Sequence, residues 1–76
     1  RALLEAGRAA AAVADFDAAL DQTPDAAGTR LNRALALLKL ARYPEAVAEL
    51  DRVVELWPGH TRALFVRAEA KAKAGD

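Results

Sequence analysis

The chain contains no cysteine, methionine, isoleucine or serine, and only four aromatic residues: Phe16, Tyr43, Trp57 and Phe65. Without cysteine there is no disulfide framework, no thiolate metal site and no cysteine nucleophile, and nothing marks an oxidising compartment. Localisation therefore stays open. Strand-favouring residues are few beyond scattered valines, while alanine dominates, so the composition points to helices. No apolar run approaches the roughly 18 residues of a membrane span, and no basic-then-apolar pattern opens the chain. Arg1 in first position leads us to expect a piece of something longer. Eleven Lys and Arg balance eleven Asp and Glu. A neutral chain gives no overall field to attract nucleic acid or an anionic membrane, and neither is expected as a partner. With 76 residues, there is room for one small domain, whose core buries only about 60% of the surface its unfolded chain exposes.

What the chain does have is an internal repeat. Displaced by about 34 residues, it matches itself without gaps. Ala2-Leu3-Leu4 meets Ala36-Leu37-Leu38, Arg8 meets Arg42, and Ala12-Val13-Ala14 meets Ala46-Val47-Ala48. Asp17 meets Asp51, Pro24 meets Pro58, Arg33 meets Arg67, and Lys39 meets Lys73. Apolar periodicity near 3.6 predicts helices at about 1–6, 9–22, 27–40, 44–56 and 61–74. Gly7, Gly59 and Gly75 fall in the predicted connections. Pro44 suits a first helical turn, where its missing N–H needs no partner, and Pro58 stops the helix that ends near Leu56. On the fourth segment Ala46, Val47, Leu50, Val53, Val54 and Leu56 mark the buried side, and Glu45, Glu49, Arg52 and Glu55 the solvated one. Ala12, Val13, Phe16, Ala19 and Leu20 play the buried part on the second. Thr23, Thr29 and Thr61 read as helix-boundary residues with capping hydroxyls.

This arrangement resembles the tetratricopeptide repeat family. Small Ala34 stands at a close helix contact. The turn "ARYPEA" reads like the family's Gly-Asp/Asn-Tyr-x-x-Ala, Ala46 and Leu50 follow in phase, and "ELWPGH" closes the unit with Pro58. The resemblance covers the whole chain and implies an all-α fold: antiparallel helical hairpins stacked as a short right-handed α-solenoid. A single domain over 1–76 divides into a partial repeat at 1–26, a full repeat at 27–60 and the first helix of another at 61–76. The sequence departs from the family pattern at Val53, where a small residue is usual. Arg30 replaces a common aromatic, and Arg33 and Arg67 replace a usual leucine.

In such repeats, the first helices of successive hairpins line a concave groove for segments of other proteins. The resemblance therefore implies a protein-interaction scaffold, with a groove drawn from Leu31, Asn32, Leu35, Leu38, Lys39, Arg62, Phe65, Glu69 and Lys73. Leu31, Leu35 and Leu38 share one helical stripe, and two readings stay open: groove floor or inter-helix core. Asn32 and Arg62 match two positions of the carboxylate clamp found in some family members, but Val66 and Arg1 occupy others. Two donors are too few to offset the desolvation of a carboxylate. Arg33 and Arg67 form either a basic ladder for an acidic peptide or pairs with Asp17, Asp21, Asp51 or Glu55. Trp57 is either an exposed anchor or a ring packed over the turn.

An alternative function is self-association through Leu64, Phe65 and Ala68, the side of the last helix that no later helix covers, giving a homo-oligomer. A minor alternative is RNA binding, resting on Phe65 with Arg62 and Lys73. No enzyme is expected: His60 is the lone histidine, with no serine or cysteine to activate. Pairs such as Asp17 with Asp21, or Asp51 with Glu55, offer two ligands where a hard cation wants about six oxygens. No cofactor or metal is expected. The Arg- and Ala-rich usage, with little Lys and no Ile, fits a high-GC bacterial source.

Overall fold

The computed structural model describes residues 2–75, with side-chain surroundings for residues 7–75. Four helices follow one another: α1 (Ala2–Gln22), α2 (Ala27–Lys39), α3 (Tyr43–Leu56) and α4 (Thr61–Lys73). Among the described residues there is no strand. Each helix packs chiefly on its neighbours in sequence, and short turns at 23–26, 40–42 and 57–60 reverse the chain between them. The product is an all-α stack of antiparallel hairpins.

The repeat is visible in the turns themselves. Pro24 and Pro58 each hold the second place of a four-residue turn, where a fixed φ near −65° is an advantage. In the first, the Ala26 N–H donates to the Thr23 carbonyl; in the second, the His60 N–H donates to Trp57, both at 3.2 Å. The turn after α2 is different. Ala41 adopts φ 60°, the Arg42 N–H donates to Leu37 at 2.9 Å, and the Ala41 N–H donates to Leu38 at 3.0 Å. These paired bonds satisfy the last carbonyls of α2 through a left-handed residue, a place that favours glycine. One repeat later that place is held by Gly75, at φ 91°.

The structure corrects two expectations about Gly7, which aligns with Ala41 and Gly75. In place of a break between predicted segments 1–6 and 9–22, α1 runs unbroken from Ala2 to Gln22, and Gly7 lies inside it. The local chemistry explains the difference. Where α3 restarts on Pro44, α1 carries Ala10, within a run of the strongest helix formers from Ala9 to Ala12. Nothing there prevents the backbone hydrogen bonds from continuing past Gly7.

Packing runs through two contiguous cores. One gathers Leu31 and Ala34 of α2, Leu50 and Val53 of α3, and Ala63, Val66 and Ala70 of α4, with Leu35, Leu38, Val47 and Val54 against its edge. The other joins Ala9 and Val13 of α1 to Ala36 and Leu37 of α2 and Ala46 of α3. Ala34 and Ala46 are fully buried, as close helix contacts require. Val53 is fully buried too, so this interior accepts the extra methyls. Ala19 is exposed and Leu56 only half-buried, so the predicted apolar faces hold in their centres and open at their ends.

Because a non-glycine residue in the left-handed region costs on the order of 1 kcal/mol, Ala41→Gly should stabilise the chain by about 0.5–1 kcal/mol. Urea denaturation followed by circular dichroism measures this. A midpoint that falls would show that the turn does not carry the strain assigned to it.

Candidate functional site

Two surfaces hold the charged and apolar groups that matter, and each is built from residues on facing helices. The first is a crevice of about 740 Å³ lined by residues from α1, α2, α3 and the turn at Pro24. Four of its charged side chains, Asp17, Arg30, Arg33 and Glu49, are matched to one another. Glu49 is 6% exposed and accepts from Arg30 Nη1 at 2.7 Å and from Arg33 Nη1 at 3.0 Å. Arg33 Nε donates to Asp17 at 2.6 Å, and Arg30 Nε donates to the Pro24 carbonyl at 2.7 Å. Burial by itself would lower the pKa of the Arg33 guanidinium, but the hydrogen bonds and charges of Asp17 and Glu49 outweigh it, and the pKa is raised. A raised value means that the folded chain holds this proton more tightly. The contribution is present throughout ordinary pH and would fade only as strongly alkaline pH passed through the folded value.

This network settles one open choice and overturns one expectation. Arg33 pairs with Asp17, and Arg67, one repeat on, pairs with Asp51 at 3.4 Å. Both arginines are thus held by acids of the preceding helix, as the pairing alternative had it. Glu49, expected on the solvated face of α3, is instead buried. The physical reason is not local: Arg30 and Arg33 of α2 present two guanidinium groups to that point of α3, and a carboxylate there answers both. Only the departures from the family pattern at Arg30 and Arg33 hinted at such a demand. Every buried polar side-chain atom among the described residues has a partner.

The second surface is a groove between α2 and α4 of about 500 Å³, lined by Leu35, Leu38, Lys39, Arg62, Glu69 and Lys73. A smaller opening of about 310 Å³ continues it toward α1, sharing Leu35 and Lys39 and adding Arg8, Phe16 and Asn32. The leucine stripe divides. Leu31 is core, whereas Leu35 and Leu38 are half-buried and shared between the core edge and the groove. Asn32, Lys39, Arg62, Glu69 and Lys73 are exposed. Phe65 does not line this groove; it lies 70% exposed, with Leu64 at 45% and Ala68 also exposed. Of the clamp positions, Val66 is buried, and Arg1 lies outside the described residues.

The lone histidine, His60, has a structural task. Its Nδ1 accepts from the Ala63 N–H at 3.0 Å, capping α4, and its ring meets Trp57 edge-on at 4.3 Å between centroids. The cap of α4 is therefore His60 and not Thr61, and Ala26, at the N-cap position of α2, offers no side-chain cap. Trp57 packs on the turn while remaining 49% exposed. Lys73 Nζ stands 6.0 Å from the centroid of the Tyr43 ring, at the outer reach of a cation–π contact. Among the described residues no three His, Asp or Glu side chains converge as metal ligands would, and no helix is long and apolar enough to cross a membrane.

Stacked hairpins with small residues at the helix contacts, proline-closed turns and a repeat of about 34 residues define a helical-repeat protein of the kind that serves protein–protein interaction. The tetratricopeptide repeat family model matches residues 1–61 and again 31–76, and the chain belongs to that family. It is 34% identical over 73 residues to a tetratricopeptide repeat and J domain-containing co-chaperone of Fusarium oxysporum f. sp. lycopersici. It is 30% identical over 74 residues to a co-chaperone of the same description from Cryptococcus neoformans var. grubii serotype A. These matches cover 96% and 97% of this chain but only 14% of each relative. Both relatives are fungal and lend nothing to a bacterial source. No solved structure matches the chain.

Glu49→Ala would leave Arg30 and Arg33 without the acid they share, at a cost of about 1.5–3 kcal/mol, the range for hydrogen bonds to charged groups. Chemical denaturation of the variant beside Asp17→Ala gives the comparison. The exposed Asp17 should cost clearly less, and equal losses would show that the burial of Glu49 adds nothing.

Proposed function

We propose that the chain is a non-catalytic interaction module that holds a peptide or helix of a partner protein in the groove between α2 and α4. The observation that supports this best is an apolar floor, Leu35 and Leu38, left half-buried beneath exposed polar groups. Half-buried leucines between charged rims suit an amphipathic segment laid into a groove, with apolar anchors below and polar contacts at the edge. Asn32, in the adjoining opening, adds a side-chain amide able to donate to and accept from a peptide backbone. We read residues 1–26, 27–60 and 61–76 as part of one repeat, a whole repeat and the opening helix of a third. The named relatives join such repeats to a J domain in a co-chaperone, which is in keeping with a segment that holds a protein partner.

A phage-displayed library of twelve-residue peptides tests the reading directly. Selected peptides should bind the chain in the micromolar range, and Leu35→Glu should weaken them at least about tenfold, a loss of about 1.4 kcal/mol, while helix content is retained. Selection of no peptide, or of peptides indifferent to Leu35→Glu, would sink the groove assignment.

A second reading, self-association, draws on Leu64, Phe65 and Ala68. Large apolar side chains exposed side by side on one helix are a ready surface for a second copy. Sedimentation across about 1–200 μM, bracketing moderate dissociation constants, should show a dimer that Leu64→Glu disperses. A monomer throughout, or a dimer that survives Leu64→Glu, removes this reading.

A further inference from the structure

The charges around the groove are distributed in a way that the overall neutrality of the chain conceals. Arg30, Arg33, Arg42, Arg52 and Arg67 all hold carboxylates. Arg8 and Arg62, the two described arginines that line the groove and its continuation, appear in none of the ion pairs among the described residues, and neither do Lys39 and Lys73. Four cations with no ion pair among the described residues therefore border the groove and its continuation, where the described lining holds one carboxylate, Glu69.

Helix electrostatics account for only part of this. Lys39 and Lys73 sit in the last turns of α2 and α4, where a cation is favoured by the helix dipole. Arg62 is in the first turn of α4, where a cation is disfavoured, and no acid compensates it there. Lys39 and Lys73 stand one repeat apart, so the positive rim recurs along the stack and is not confined to a single point.

Resting on the groove reading above, we infer that the partner segment is acidic as well as apolar: a peptide carrying leucine-sized side chains for Leu35 and Leu38, flanked by carboxylates for Lys39, Arg62 and Lys73. Such a segment meets these cations at an exposed rim, where opposite charge sets both the encounter rate and the choice of partner. A basic amphipathic segment of equal hydrophobicity meets the same floor and is repelled at its edges. Specificity thus comes from the rim, and affinity from the floor.

Three labelled twelve-residue peptides decide the matter, with leucines at the same positions and glutamate, glutamine or lysine between them. Fluorescence anisotropy with the 76-residue chain should rank glutamate first and lysine last, with at least about a tenfold gap that narrows as salt rises to about 0.5 M. The double variant Lys39→Glu with Lys73→Glu should reverse the order. Arg62→Glu, which suits a helix start, should independently weaken the glutamate peptide severalfold. If all three peptides bind alike, or the variants leave the order unchanged, the acidic partner is wrong. The groove reading then survives only if Leu35→Glu still abolishes binding. If no peptide binds, both fall together.

Discussion

The structure depends on the seam between α2 and α3. Among the described residues the largest fully buried side chains, Leu37, Leu50 and Val53, all belong to these two helices, and each contributes about 1.5–3 kcal/mol by leaving water. Neither helix is long enough to persist alone, since segments of about 12–15 residues are marginal without packing. Alanine at 34 and 46 permits the close approach, and once the two helices are joined, α1 and α4 have opposite sides on which to rest. A bulky residue at either alanine would separate the pair and with it the support for both flanking helices.

Around that seam the chain sorts its charges into two kinds. On one side guanidinium and carboxylate groups neutralise each other, and the buried Glu49 links α3 to α2, while Arg33 continues the link to α1. A network of this sort adds little net stability over an apolar equivalent, but it penalises any other register, because a slipped helix would leave a buried charge alone. On the other side, cations with no ion pair among the described residues stand above half-buried leucines. The same chain thus uses charge to fix its own helices on one face and leaves charge available on the other.

Much of this architecture was legible without coordinates, and the reasons are specific. The bounds of α2, α3 and α4 followed from apolar periodicity and from Pro44 and Pro58, because proline acts on the backbone next to it. The pairing of Arg33 and Arg67 with Asp17 and Asp51 was among the alternatives, since both residues recur at the repeat offset. Gly7 was misjudged because the repeat argument presumes a similar environment at each copy, while the helix there had only alanines and no proline to answer to. Glu49 was misjudged because helical periodicity reports which side of a helix is polar. It does not report that a neighbouring helix will bring two arginines to meet it. His60 as a cap was hidden for a similar reason: a histidine before a helix is an unusual acceptor, and only the ring's orientation reveals it.

For the candidate site, the residue types on α2 and α4 were readable from phase, but their division was not. Leu31 became core while Leu35 and Leu38 kept an edge to the groove, and Phe65 lies outside it. The class of fold, the lengths of the hairpin arms and the small residues at their contacts follow from residue order, because they depend on backbone chemistry and spacing within a few turns. Which leucines stay accessible, which acid is buried and which arginines are held by carboxylates were decided by the tertiary arrangement. Those outcomes depend on side chains far apart in sequence arriving at one place, and no local pattern encodes that meeting.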